Sequence, residues 1–157
     1  QYEEVTTYCK SKNTAFLYAA NFSVGVNLFF KINQLVAKLM KSQSKEYTPR
    51  MQEIHHIHKF DAPSGTALTL AESLLDEKYF SEWELDGKTD KKLNIESVRE
   101  GEVPGTHSIT YQSQVDSISL QHEAFSRDGF ALGAVIAAEW ILNKKGIYSM
   151  QDVLNIS

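Results

Sequence analysis

The sequence predicts an α/β protein built on a mixed, largely antiparallel sheet of about four strands with helices on one face. Three observations predict it. An apolar run, Ala15 to Ala19, gives way at Asn21-Phe22-Ser23 to a long stretch of helical periodicity. An alternating segment, Met51 to Lys59, passes through a proline turn into a second helical stretch. Three short alternating segments then follow in close order, Asn94 to Arg99, His107 to Gln112 and Ser117 to His122.

Each element has a local reason. Tyr2 to Lys12 places Val5, Tyr8 and Cys9 on one face of a short helix, and Ala15 to Ala19 reads as a buried strand. Asn21 or Ser23 caps a helix whose Val24, Leu28, Ile32, Leu35, Val36 and Leu39 form the expected core stripe, ending near Lys41 or Ser42. Pro63 blocks an earlier start to the next helix, which Ser64 caps and which runs through Leu68, Leu70, Ala71, Leu74 and Leu75. Ser81 to Lys92, with Asp86-Gly87 inside it, reads as a turn-rich excursion. The tight links at Gly101 to Gly105 and near Val115-Asp116 suggest an antiparallel meander. Phe130 to Asn143 is apolar over most of a helical circumference, so burial on more than one side is expected.

Composition narrows the function. At 157 residues and 42% hydrophobic content the chain can bury a real core. Sixteen basic against 20 acidic residues leave a formal charge of −4, which argues against a nucleic-acid or anionic-membrane surface, so an anionic ligand must be met locally. The single cysteine, Cys9, excludes an internal disulfide and fits a reducing, cytoplasmic setting. No run approaches the roughly 18 apolar residues of a membrane span. The chain opens without Met in what reads as mid-helix, so it is expected to be incomplete.

The most informative stretch is EIHHIHKFDAPSGTA, Glu53 to Ala67, which gathers imidazoles, an amine and an anion-binding helix start within fifteen residues. Strand exit and helix entrance face one small volume there. His55 offers a group that titrates near neutrality. Lys59 offers a cation and a proton. Gly65 leaves the helix start open to close approach, and Thr66 adds a hydroxyl where unpaired N–H groups favour an anion. The ordinary readings are a structural strand histidine, a solvated lysine and a well-formed cap. The crowding of His55, His56 and His58, with His107 and His122 in later strands, raises a metal reading. No cysteine pair or HExxH spacing accompanies them and Lys59 would oppose an ion, so no metal is expected.

That stretch resembles the signature of the bacterial 4-hydroxy-tetrahydrodipicolinate reductases, formerly dihydrodipicolinate reductases. AANFSVGVN at Ala19 to Asn27 and REGEVPGTHSITYQSQVDSISLQHEAFSRDGFALGA at Arg99 to Ala134 agree in order. The resemblance implies His55 and Lys59 as acid/base residues, without saying which delivers the proton, and His56, Gly65 and Thr66 as contacts to a cyclic dicarboxylate substrate. It implies Ala19, Ala20, Asn21 and Phe22, with Arg127 and Phe130, as neighbours of NADH or NADPH, and a homotetramer formed through the sheets. No GxGxxG stands in the chain, so most of the family's nucleotide-binding domain is missing. Residues 1–22 then read as a remnant of that Rossmann-type domain, 23–126 as the substrate-binding and oligomerisation domain, and 127–157 as a helical segment returning to the first. The alternatives are a non-catalytic module that keeps the dicarboxylate pocket without a cofactor domain, and another nicotinamide-dependent reductase of the same plan, which the pairing of HHIHK with APSGT speaks against.

Overall fold

A computed structural model describes residues 1–87, 89 and 91–156. The elements run α1 (Tyr2–Ser11), β1 (Ala15–Leu17), α2 (Val24–Met40), β2 (Thr48–His55), α3 (Gly65–Asp76), β3 (Trp83–Leu85), β4 (Leu93–Arg99), β5 (Gly105–Gln112), β6 (Ser117–Ala124), α4 (Asp128–Trp140), β7 (Gly146–Tyr148) and α5 (Met150–Leu154). They divide into two units: residues 1–28 with 128–157, and residues 29–127, the division falling inside α2.

In the larger unit the sheet order is β3-β4-β2-β5-β6. The sheet is mixed and, by ladder length, largely antiparallel. β2 with β5 and β5 with β6 make antiparallel ladders of seven and eight residue pairs, while the parallel pairings of β2 with β4 and β3 with β4 run five and three. The expected meander is only half formed. β5 and β6 are a hairpin, but β4 crosses to the far side of β2, because β2 buries alternate residues and takes a partner on each edge. A fifth strand, β3, forms inside the segment read as a turn-rich excursion, where Lys88 and Asp90 lie outside the described residues.

Period-2 alternation decides which face meets the helices. Met51, Leu93, Ile95, Ile109 and Tyr111 point to one side and pack against Ala67, Leu70, Ala71 and Leu74 of α3 and Phe29, Ala37 and Met40 of α2. α2 buries a different stripe from the one expected: Leu28, Ile32, Leu35 and Leu39 are exposed, and Phe29, Asn33, Ala37 and Met40 face inward. Apolar residues lie on most sides of this helix, so periodicity alone left the stripe ambiguous. Asn33 resolves it, donating from Nδ2 to the Leu70 carbonyl at 2.9 Å and so fixing α2 against α3. The opposite sheet face is polar, with Gln52, Thr106, Ser108 and Gln121 around a hollow of about 270 Å³.

The smaller unit pairs β1 with β7 in parallel. Ser23 closes the first turn of α2, its Oγ accepting from Val26 N at 3.3 Å, and Asn21 Oδ1 accepts from Ser23 N at 2.8 Å. α4 buries only Gly133 and Ala137 while Leu132 and Val135 are exposed, so the expected burial on several sides is not found among the described residues. Gly133 lies so close to the Phe22 carbonyl that an added Cβ would collide with it. Gly133→Ala should therefore cost about 1–3 kcal/mol of stability in urea unfolding; an unchanged midpoint would show that this contact is soft.

Candidate active site

β2 ends at His55 because its partners end there: His55 pairs with Arg99, the last residue of β4, and Ile54 pairs with Thr106 near the start of β5. The strand expected to reach Lys59 thus stops four residues short. The chain then turns, with Ile57 N donating to Gly101 O and Lys59 N to His56 O, both at 3.1 Å. Ser64 N-caps α3, its Oγ accepting from Ala67 N at 3.1 Å.

Glu53 stands at the centre. It shares the inward face with Met51 and His55 and is fully buried. Its carboxylate accepts from Ser64 N at 3.0 and 3.2 Å and from Ser97 Oγ at 2.7 Å. Three cationic or imidazole groups surround it: His55 Nδ1 at 3.6 Å, His107 Nε2 at 3.7 Å and Arg99 Nη2 at 3.5 Å. Burial alone would push the Glu53 carboxyl up, but the hydrogen bonds from Ser64 and Ser97 outweigh it and hold the group below the ordinary carboxylate range. It is therefore an anion.

Both imidazoles beside it are neutral at pH 7. Burial depresses His55 against the upward pull of Glu53, with Lys59 and Arg99 adding to the depression, and burial pushes His107 down to about 3. The rings meet edge to face, 5.0 Å apart. Two oxygens face His107 Nε2, that of Glu53 at 3.7 Å and Ser64 Oγ at 3.1 Å. His55 Nδ1 faces the same carboxylate at 3.6 Å, and Nε2 lies on the opposite edge of the ring. Gly105, at φ +155, guards that second edge: a Cβ there would stand 3.2 Å from His55 Nε2.

Lys59 is half-buried and bonded through Nζ to both Asp61 oxygens, at 2.7 and 2.8 Å, which holds the Asp61 carboxyl below its usual range. Arg99 straps the same turn. Its Nε and Nη2 donate to the carbonyls of Lys59 at 3.3 Å and Asp61 at 2.7 Å, while Nη1 donates to Ser97 Oγ at 2.8 Å.

The predicted residues are thus distributed unevenly. His55, the Lys59 turn and the start of α3, where Gly65 has open space beside it, are joined through Glu53, Arg99 and Ser64. His56 lies in the turn after β2, its ring 6.2 Å from that of His58. Ala19, Ala20, Asn21, Phe22 and Phe130 belong to the smaller unit, and Arg127 is the last residue of the larger one. Sequence reasoning missed Glu53, Ser97 and Arg99, and weighed His107 only as a metal ligand. Donor atoms of Glu53, His55 and His107 lie within 4.8 Å of one another, a spacing that could hold a metal ion, although Arg99 already balances the carboxylate.

On this mixed sheet a buried carboxylate, two imidazoles and a lysine stand near an open helix start, a set of groups able to exchange protons and to meet an anion. The family described as "Dihydrodipicolinate reductase, C-terminus" matches residues 25–154, and the chain belongs to it. Among relatives, the 4-hydroxy-tetrahydrodipicolinate reductase of Christiangramia forsetii is 46% identical over 98% of this chain and 64% of its own length. That of Pelagibacter ubique is 41% identical over 99% and 63%. The chain thus spans just under two thirds of these relatives. A solved dipicolinate-bound dihydrodipicolinate reductase from Paenisporosarcina sp. TG-14 has the same fold, with a TM-score of 0.70 at 21% identity over 96% of this chain and 59% of its own.

Because both buried imidazoles bind a proton more weakly folded than unfolded, the unfolded chain takes up protons first as pH falls below about 6.5, and stability falls with it. The Glu53 carboxylate, depressed in the fold, adds a loss in the same direction at lower pH. His107→Gln should flatten the slope of unfolding free energy between pH 4 and 6 by up to about 1.4 kcal/mol per pH unit, read by urea titration. An unchanged slope would mean that His107 is protonated in the fold.

Proposed function

We propose that this chain is the substrate-binding and oligomerisation part of a cytoplasmic 4-hydroxy-tetrahydrodipicolinate reductase. The reaction consumes NADH or NADPH and a proton and yields tetrahydrodipicolinate and water, a step of lysine and diaminopimelate biosynthesis. The observation that carries the reading is the convergence of His55, the Lys59 turn and the start of α3 on one buried carboxylate, in a chain of this family.

The dicarboxylate would lie at the start of α3, with Gly65 and Thr66 taking one carboxylate and His56 and Lys59 the other. The solved relative's dipicolinate, a planar dicarboxylate, suits such a site. His55 or Lys59 would manage the proton. Positioning and charge neutralisation are the protein's share of catalysis.

A nicotinamide fits the smaller unit by its topology. Ala19 to Phe22 follow the C-terminal end of β1, a strand in a parallel pair, and α/β proteins bind ligands outside such ends. Ala19, Ala20, Asn21, Phe22, Arg127 and Phe130 would hold the cofactor, which supplies the hydride. Residues 1–22 and 127–157 would then be parts of a dinucleotide-binding domain flanking a substrate domain at 23–126, and the exposed Leu132 and Val135 suit a helix that packs within it. The polar sheet face opposite α2 and α3 would carry the homotetramer contact.

The full-length protein should oxidise NAD(P)H only with the dicarboxylate present, and Lys59→Ala should lower kcat tenfold or more. Binding of pyridine-2,6-dicarboxylate without turnover would leave a binding module, and an unchanged kcat would remove Lys59 from the chemistry. Size-exclusion chromatography with light scattering should return a tetramer; a monomer at micromolar concentration would overturn the assembly.

A further inference from the structure

We infer that Glu53 is a positioning residue for proton transfer, its carboxylate selecting the His55 tautomer protonated on Nδ1 while anchoring the first turn of α3, so that acid/base chemistry and anion binding rest on one support. The inference rests on the functional reading above and adds to it a residue that touches no substrate.

Geometry carries it. His55 Nδ1 is buried and has no hydrogen-bond partner at ordinary length among the described residues, and a buried polar atom left so is costly. The acceptor in front of it is Glu53 Oε2 at 3.6 Å, so a contraction of about half an ångström makes a charge-assisted hydrogen bond. Such bonds are commonly long before substrate binds. The titratable and charged groups around His55 are Glu53 on its own strand, His107 on β5, Arg99 on β4, and Lys59 and Asp61 in the turn. Asp61 is committed to Lys59, and Glu53 is the acid buried with the ring.

The carboxylate is itself held rigidly. Ser64 N comes from the cap of α3 and Ser97 Oγ from β4, and Arg99 ties Ser97 to the Lys59 turn. Motion of Glu53 would therefore disturb ring and helix start together. A carboxylate behind an imidazole fixes its tautomer and favours its protonated form, and loss of that charge with shape retained is costly to turnover in enzymes that use the pair.

The test uses the full-length reductase with Glu53→Gln, which keeps the volume and an acceptor oxygen for Ser64 N. In selectively labelled protein, the NMR titration midpoint of His55 should fall by roughly one pH unit when the anion is removed. kcat should drop at least tenfold, with KM for the dicarboxylate within about threefold. A purely structural glutamate would lower the melting temperature without moving the midpoint, and that result overturns the inference, as does a kcat within twofold of wild type. If Glu53→Gln does not fold, Ser97→Ala decides: it removes the 2.7 Å donor that fixes the carboxylate, so the His55 midpoint should move and kcat should drop, and Ser97→Thr should restore both. Unmoved readouts in Ser97→Ala overturn the inference too. A wild-type protein inactive toward the dicarboxylate would sink the functional reading instead, while the His55 titration would still judge the coupling.

Discussion

A carboxylate with no exposed surface is the constraint around which the larger unit is organised. Moving such a group out of water costs several kcal/mol unless donors and opposite charge meet it. Glu53 is met from three directions: the amide that opens α3, the hydroxyl and guanidinium of β4, and the imidazole of β5. These groups come from widely separated parts of the chain, so satisfying one carboxylate sets the register of β4 and β5 against β2 and the seating of α3 on the sheet. The same groups line the candidate site. Stability and site geometry are consequently one requirement.

The topology supports this economy. With β4 on one edge of β2 and β5 on the other, the end of β2 is flanked by Arg99 and by Gly105 and His107. A meander in sequence order would have put β4 next to β5 and left His55 with a neighbour on one side. The crossing of β4 therefore places a guanidinium where it can strap the Lys59 turn from below. Gly105, extended at a positive φ, keeps the other edge of the ring clear.

Much of this was legible in the sequence, for identifiable reasons. The alternation in β5 and β6 and the Ser64 cap are local signals that the structure repeats within a residue or two, whereas β2 keeps its alternation but lies three to four residues earlier than its pattern suggested, because its partners end at His55. The buried stripe of α2 was not legible, because a helix apolar on most sides offers two stripes and only the Asn33 bond to Leu70 selects one. β3, three residues long and exposed in part, has no periodicity to read. The hub was half visible. Glu53 falls on the same face as Met51 by simple alternation, and an acid at an inward position demands partners. Which partners they are depends on the order of strands, and local patterns do not carry it.

The two acids of the site differ in how firmly they are held, and that difference bears on the proposed chemistry. Asp61 is exposed and bonds Lys59 in a pair of the kind worth little in water, so an arriving carboxylate can take its place on the amine. Glu53 is sealed among fixed donors and no ligand of like charge can replace it. Incoming negative charge would thus release Lys59 from Asp61 and leave the Glu53–His55 pair intact. It would also favour protonation of His55, since each added anion offsets the burial that depresses the ring. Substrate binding and the charging of the imidazole would then be coupled by electrostatics alone, with the helix start of α3 as the fixed point for both.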